Sequence, residues 1–284
     1  MALHSKVHKT VPKMSVILTT YKAEEWLEKV ILGYKAQLFQ DIELIIADDG
    51  SGPATRKLIE HYQPLLPFPL RHIWQEDDGF QKTKILNKAL VETKADYIVI
   101  SDGDCIPRED FLQIHYDARK PETFLSGGYY KLPMSTSKKI NADDIATQNC
   151  FRLGWLLKHG VPHSIKNLKF ISRGLGARIL NAITPTRPSW NGHNASGWKK
   201  DILAINGFDE RMKWGGLDRE MGERLEYYGC QGKQIRYSAI CIHLDHKRGY
   251  ITADQLEENR KIRRASQSKK APRTPFGIVT ETTD

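Results

Sequence analysis

Tyr97-Ile98-Val99-Ile100-Ser101-Asp102-Gly103-Asp104 reads as a buried strand that ends in two carboxylates one residue apart. Such a strand projects acidic oxygens at the open edge of a sheet. Hard divalent cations prefer oxygen ligands, and Mg²⁺ or Mn²⁺ typically links one or two carboxylates to substrate phosphates. The spacing therefore points to a metal holding a diphosphate. Asp-Gly-Asp is also ordinary turn chemistry, so the surrounding segments have to decide between the two.

Working outward, residues 14–20 and 42–47 are apolar, β-branched runs that read as strands, and residues 70–74 form a third. Between them, Trp26, Leu27, Val30 and Ile31 fall at helical spacing over 24–34. Asp48-Asp49-Gly50-Ser51-Gly52 turns into a helix that runs to about residue 62, and 83–93 is helical. Ser51 is expected to cap its helix. Alternating strand and helix predict an α/β fold with a mainly parallel central sheet flanked by helices. In open sheets of this kind ligands bind outside the carboxyl ends of the strands. No Gly-x-Gly-x-x-Gly or Gly-Lys-Ser/Thr follows any strand, which speaks against dinucleotide-binding and P-loop folds. Farther along, helices are expected over 142–157, 218–228 and 253–264, a strand over 234–242, and a loop-rich stretch over 160–200 with Pro162, Pro185 and Pro188. Loops of that length are more often functional than idle.

Composition sets outer bounds. The 284 residues are 40% hydrophobic and 27% charged, the profile of a globular protein with ample sequence for a core. No apolar run is long enough to span a bilayer, and no signal-peptide h-region lies near Met1. Cys105, Cys150, Cys230 and Cys241 are far apart, so neither a disulfide framework nor a structural zinc site is expected, and a cytoplasmic location is. Without a secretory signal, the sequon Asn194-Ala195-Ser196 reads as chance. The net charge of +9 favours anionic partners. Part of it lies in a basic tail over 1–13 (Lys6, Lys9, Lys13) and part in Arg260, Lys261, Arg263, Arg264, Lys269 and Lys270. That second group suits either a solvated helix face or peripheral contact with the anionic cytoplasmic face of a membrane. Nucleic-acid binding needs a recognised module or interleaved basic and aromatic residues, and neither is present.

The order of the motifs identifies the class. Leu18-Thr19-Thr20-Tyr21, then Asp48-Asp49-Gly50-Ser51, then Asp102-Gly103-Asp104 resembles the family 2 glycosyltransferases with the GT-A fold. Asp78-Gly79-Phe80 with Asn87-Lys88-Ala89 is similar to the Asp-x-Gly-Phe…Asn-x-Ala segment of capsule and lipopolysaccharide transferases. Asn206-Gly207-Phe208-Asp209 followed by Trp214-Gly215-Gly216-Leu217-Asp218 resembles a galactosyltransferase C-terminal segment, usually Trp-Gly-x-Glu-Asp. The resemblance runs over about 14–246 and implies one domain in two halves. Residues 14–105 would bind the nucleotide-sugar, 106–250 would bind the acceptor and catalyse, and 251–284 would form a C-terminal helix and basic tail.

The resemblance also implies roles. Asp48 would accept a hydrogen bond from the uracil N–H of a UDP-sugar, Thr19 and Tyr21 would line base and ribose, and Asp78 would lie beside the nucleotide. Asp102 and Gly103 would contact the donor, with Lys82 and Lys84 in reach of the diphosphate. Asp104 would ligate Mn²⁺ or Mg²⁺ with His243, or with His246 in its place. Asp218 would be the base that takes the acceptor's proton, since direct displacement needs a carboxylate on that side. Trp214 offers a flat face to a sugar ring, and Gly215 and Gly216 let the backbone pass close to it. In 192–201, Asn194, Ser196 and Trp198 are candidates to meet the acceptor, equally well explained as loop chemistry. Leu217 stands where the family usually has Glu, which puts specificity in doubt.

The implied activity is an inverting, metal-dependent transfer of a hexose or N-acetylhexosamine from a UDP-sugar to a saccharide or lipid-linked saccharide, in bacterial surface polysaccharide or lipopolysaccharide synthesis. A non-catalytic nucleotide-sugar-binding homologue is the rival that Leu217 raises. A sugar-nucleotide pyrophosphorylase is disfavoured because Thr19-Thr20-Tyr21-Lys22-Ala23-Glu24 lacks a Gly-rich loop after the first strand.

Overall fold

Largely apolar runs make the strands β1 (Met14–Thr20), β2 (Ile42–Asp48) and β4 (Tyr97–Asp102), and the mixed segment β3 (Leu70–Trp74) lies at the sheet edge. The crossovers are α1 (Glu24–Lys35), α2 (Pro53–Tyr62) and α3 (Lys82–Glu92). The computed structural model describes residues 11–246 and 252–280; Lys6 and Lys9 of the basic tail lie outside them. All four strands are parallel, and their register sets Thr20 opposite Asp48 and Thr19 opposite Asp102. The acidic ends of β2 and β4 thus flank the end of β1 at one sheet edge.

The chain continues through β5 (Cys105–Pro107), α4 (Phe111–Ala118), β6 (Thr123–Ser126) and β7 (Gly128–Lys131). Short helices come next: α5 (Met134–Lys139), α6 (Ala142–Ala146), α7 (Leu153–Lys158), α8 (Leu168–Ile171) and α9 (Gly174–Ile183). Then come β8 (Ala195–Trp198), α10 (Lys199–Ala204), α11 (Leu217–Tyr228), β9 (Gln231–Gln234), β10 (Ile240–His243) and α12 (Ala253–Lys269). The main sheet has the order β3-β2-β1-β4-β8-β6-β9, with β8 antiparallel to both neighbours. A second sheet has the order β5-β10-β7. Two apolar cores cover the main sheet: Val16, Leu18, Leu44 and Val99 contribute to one, and Ile17, Ile45, Ile98 and Ile100 to the other. No helix among the described residues is long and apolar enough to cross a membrane.

Three expectations are corrected. The helix read over 142–157 is broken at Gln148, which adopts φ +59 while its side-chain Oε1 accepts from Glu109 N at 2.9 Å. The strand read over 234–242 is two strands in different sheets. The chain turns over at Ile235, whose carbonyl accepts from Ser238 N and Ala239 N, both at 2.9 Å. The stretch 160–200 is not mainly loop: it holds α8, α9 and the central strand β8.

Candidate active site

At the carboxyl edge of the sheet, Asp102 Oδ1 accepts from Thr19 Oγ1 at 2.8 Å and from Lys82 Nζ at 2.6 Å. Lys82 is the first residue of α3, so the helix start delivers its ammonium across the end of β4. Burial alone would depress Lys82, but the carboxylates of Asp102, Asp218 and Asp104 outweigh it and hold the amine well above its ordinary value. It is a fixed cation at physiological pH.

Asp104 lies just beyond. Strand β10 runs antiparallel to β5 with His243 opposite Cys105, and Leu244 N donates to the Asp104 carbonyl at 2.9 Å. The register therefore brings His243 Nε2 to 3.7 Å and His246 Nε2 to 3.1 Å from Asp104 Oδ2. One ligand atom from each of the three lies within 4.8 Å of the other two. Burial would raise the Asp104 carboxyl, but His246 and His243 hold it below the usual carboxylate value. His243 Nδ1 donates to the Leu244 carbonyl at 2.7 Å, which fixes the tautomer and leaves Nε2 free to ligate. Metal-binding histidines are commonly oriented in this way. These residues fit a divalent cation. Cys105 lies beside them, grouped with Asp102 and Asp104 and donating to Asp104 Oδ1 at 3.4 Å, but burial pushes its thiol well above the ordinary value.

Asp218 stands on the second residue of α11, after Gly215 and Gly216 at φ +98 and +88. The left-handed backbone favours glycine at both positions. A helix start favours an ionised carboxylate, yet burial wins. The Asp218 carboxyl is pushed up to about 6, with Lys82 opposing the shift and Asp102 adding to it. Its Oδ1 is fully covered and has no well-formed hydrogen bond. The backbone at Gly192 passes so close that a β-carbon there would stand 2.8 Å from that oxygen.

Asp218 lines a cavity of about 480 Å³ with Tyr129, Asn191, His193 and Gly216, and with five cations: Lys169, Arg187, Arg219, Arg236 and Arg263. Among the described residues, Asp218 is the one carboxylate in that lining. Trp214 and Gly215 do not line it; Asn259 of α12 instead donates to the carbonyls of Lys213, Trp214 and Gly215 at 3.1, 2.9 and 2.8 Å. Leu217 is buried in the core with Met212 and Met221, so the missing Glu leaves a packed apolar position.

The edge thus gathers Thr19, Lys82, Asp102, Gly103, Asp104, His243 and His246, with Asp218 within electrostatic reach. Asp48 ends β2 at the same edge but is engaged by other partners. It is fully buried, Oδ1 accepting from Ser51 N at 2.8 Å and Oδ2 lying 2.9 Å from His72 Nε2. The expected cap is also corrected, because Ser51 Oγ accepts from Lys22 N at 2.8 Å and α2 has no side-chain cap. Tyr21 is exposed at the rim, its hydroxyl donating to Asp77 Oδ2 at 3.0 Å. Asp78 is exposed and accepts from Gln81 Nε2 at 2.9 Å. Asn87 is structural, tied to the backbone N–H and carbonyl of Phe208.

Asn194, Ser196 and Trp198 are likewise framework. Asn194 and Ser196 bind His115 in the core, and Trp198 Nε1 donates to the Lys120 carbonyl at 2.7 Å. Their neighbour His193, overlooked in the sequence, is the one that faces the site. It packs edge-on to Tyr129 with ring centroids 4.4 Å apart, and burial pushes it down to about 4. Its position directly before the buried Asn194 was the available signal.

The sequence model of Glycosyl transferase family 2 matches residues 15–173, more than half of the chain. Chondroitin synthase of Escherichia coli is 24% identical over 81% of the chain, which spans 34% of that relative. Validoxylamine A glucosyltransferase of Streptomyces hygroscopicus subsp. jinggangensis is 22% identical over 77% of the chain, which spans 52% of it. The chain thus spans about a third to half the length of these two. Among solved structures, S. aureus TarS 1-349 in complex with UDP-GlcNAc superposes with a TM-score of 0.58 at 16% identity, covering 89% of this chain and 66% of that one. The mannosyltransferase PcManGT from Pyrobaculum calidifontis, in complex with GDP-Man and Mn²⁺, gives 0.56 at 18%, covering 91% and 62%.

Proposed function

Because the chain belongs to glycosyl transferase family 2, and is a glycosyltransferase of GT-A fold, we propose that it transfers a hexose or N-acetylhexosamine from a UDP-sugar to a saccharide hydroxyl with inversion, aided by a divalent metal. The setting proposed is the cytoplasmic synthesis of bacterial surface polysaccharide or lipopolysaccharide. The observation that carries this reading is the convergence of Asp102, Asp104, His243, His246 and Lys82 on one sheet edge beside Asp218.

Residues 14–105 would supply the donor subsite and 106–250 the acceptor subsite, with Thr19 and Tyr21 toward base and ribose, and Trp214 toward the acceptor. Asp104, His243 and His246 would hold the metal, and two imidazoles with one carboxylate suit Mn²⁺ better than the all-oxygen preference of Mg²⁺. When bound, the cation would neutralise the diphosphate and stabilise the leaving UDP. Lys82 supplies further positive charge at the same place. Asp218, ionised above about pH 6, takes the acceptor proton as the sugar–oxygen bond forms, and a single displacement inverts the anomeric centre. Of the cavity's cations, Arg263 and Arg187 are paired with Glu223 and Glu226, and Lys169, Arg219 and Arg236 favour an acceptor that carries phosphate or carboxylate groups.

The test is UDP release from a panel of UDP-sugars with Mn²⁺, Mg²⁺ or EDTA, alongside Asp104→Ala and Asp218→Asn. Metal-dependent release from one donor, lost in Asp104→Ala, supports the reading. Absence of release from every donor, together with no metal-dependent UDP binding by calorimetry, overturns it.

A further inference from the structure

Helix α9 carries its apolar side outward. Of its ten residues only Ala177 is fully buried, and the inner side is held by Asn181, which donates to Ser238 Oγ and accepts from Tyr237 N, both at 2.8 Å. At about 100° per residue, Leu175, Ile179, Ala182 and Ile183 share the opposite face. The three large side chains are 70%, 51% and 67% exposed. The approach to this helix adds Ile171 at 59% and Ile165 at 81%. Single exposed Leu or Ile residues are normal, but five within one short segment are not.

The sequence of this arm is basic throughout, although Arg173 lies 3.7 Å from Glu109 and 4.0 Å from Asp110, and Arg187 pairs with Glu226. Between Asp144 and Asp201 the chain has no Asp or Glu, while Lys166, Lys169, Arg173, Arg178 and Arg187 bracket the helix. Arg178 lies at the edge of the apolar face, and Lys166 and Arg178 are exposed. Across the molecule, the cations of α12 are a weaker candidate for anion contact. Arg263 pairs with Glu223 at 2.5 Å, Arg260 with Glu257 at 3.2 Å and Lys261 with Glu258 at 3.7 Å. The arm over 165–187 also adjoins the site: Lys169 before α9, and Thr186 and Arg187 after it, line the cavity that holds Asp218.

We propose that the outward face of α9 docks on an anionic lipid bilayer, with Leu175, Ile179 and Ile183 in the acyl boundary and the flanking Lys and Arg side chains at the headgroups. A helix with an exposed apolar face and cations at its border lies in the interface plane in this way. Docking there sets the mouth of the cavity against the bilayer, so the acceptor is a lipid-linked saccharide drawn from the surface. This last step rests on reading the cavity as the acceptor subsite; the docking itself does not.

Sedimentation of the full chain with vesicles tests it, using phosphatidylcholine alone or phosphatidylcholine mixed with phosphatidylglycerol. The wild type is expected on the mixed vesicles only. The double variant Leu175→Ser/Ile179→Ser is expected to bind at least about tenfold more weakly, and Arg178→Glu more weakly than wild type. Both should keep the wild-type melting temperature and donor hydrolysis. Equal binding by wild type and double variant, or no binding by wild type, overturns the docking face. So does a wild-type dimer in solution that the double variant converts to monomer, because the face is then covered by a second copy. Vesicle binding that persists when no UDP-sugar is hydrolysed leaves docking intact and counts against the proposed reaction alone.

Discussion

Replacing Asp218 with Asn should stabilise the protein while disabling it. In the folded chain the carboxyl loses its proton near pH 6, against 3.8 for the ordinary group. At about 1.4 kcal/mol per pH unit, that gap is worth about 3 kcal/mol. The sign comes from proton counting. Between those two pH values the folded state keeps a proton that the unfolded chain has released, so stability falls as pH rises through the window and is flat above it. The amide of the variant has no proton to lose. Asp218→Asn should therefore melt with wild type near pH 4 and above it near pH 8, by about 6 °C at roughly 2 °C per kcal/mol for a chain of this size. Activity runs the other way: wild-type turnover should fall about tenfold per pH unit below 6, and the variant should lose about 10²–10⁴-fold at neutral pH. The assay is thermal melting across pH in EDTA without donor, paired with UDP release. A variant that melts with or below wild type at pH 8 refutes the claim that burial holds this carboxylate at a cost. A variant with wild-type turnover refutes its role as base.

Three further substitutions probe the same frame. Gly192→Ala puts a β-carbon 2.8 Å from Asp218 Oδ1, and a displaced base should cost about 10²-fold in kcat while UDP binding measured by calorimetry stays intact; unchanged kcat would show that Asp218 tolerates displacement. Asn259→Ala removes two N–H donors shared among the carbonyls of 213–215, at about 1 kcal/mol per donor, so melting should drop and kcat fall with the donor KM unmoved. A rise in donor KM alone would mean the loop serves the donor rather than the base. His246→Ala should weaken Mn²⁺ binding as His243→Ala does, read by metal titration; wild-type affinity in His246→Ala would leave His246 as a partner of Asp104 only.

The acidic sheet edge was legible because its signals are local. Val16 to Leu18, Leu44 to Ile46 and Ile98 to Ile100 are apolar on both faces, as buried parallel strands must be, and each run stops where the acids and threonines begin. Once such strands lie parallel and in register, Thr19, Asp102 and Asp104 have nowhere to go but the same edge. The breaks in the second half depend on contacts distant in sequence. Gln148 interrupts its helix because Glu109 is there to donate to it. The 231–243 stretch splits because its two ends belong to different sheets. The partner of Asp48 is equally remote: His72, 24 residues away, takes one of its oxygens.

The polar residues of 192–201 show the same limit in reverse. Asn194 and Ser196 are hydrogen-bonding types that a sequence reader assigns to a ligand, yet buried polar groups in a fold must find partners, and here His115 supplies them. What the sequence did display was absence. A chain with 34 Asp and Glu residues has none between Asp144 and Asp201. That interval contains the outward apolar helix and supplies much of the lining of the Asp218 cavity. A stretch free of carboxylates beside Asp218 adds no further like charge to that of Asp102. It also leaves Lys166, Lys169 and Arg178 on the same side of the molecule as an attraction for anions. Replacing one carboxylate-free face with ordinary mixed charge would leave the core untouched and would weaken the attraction at long range, where a charged surface is recognised before any contact forms.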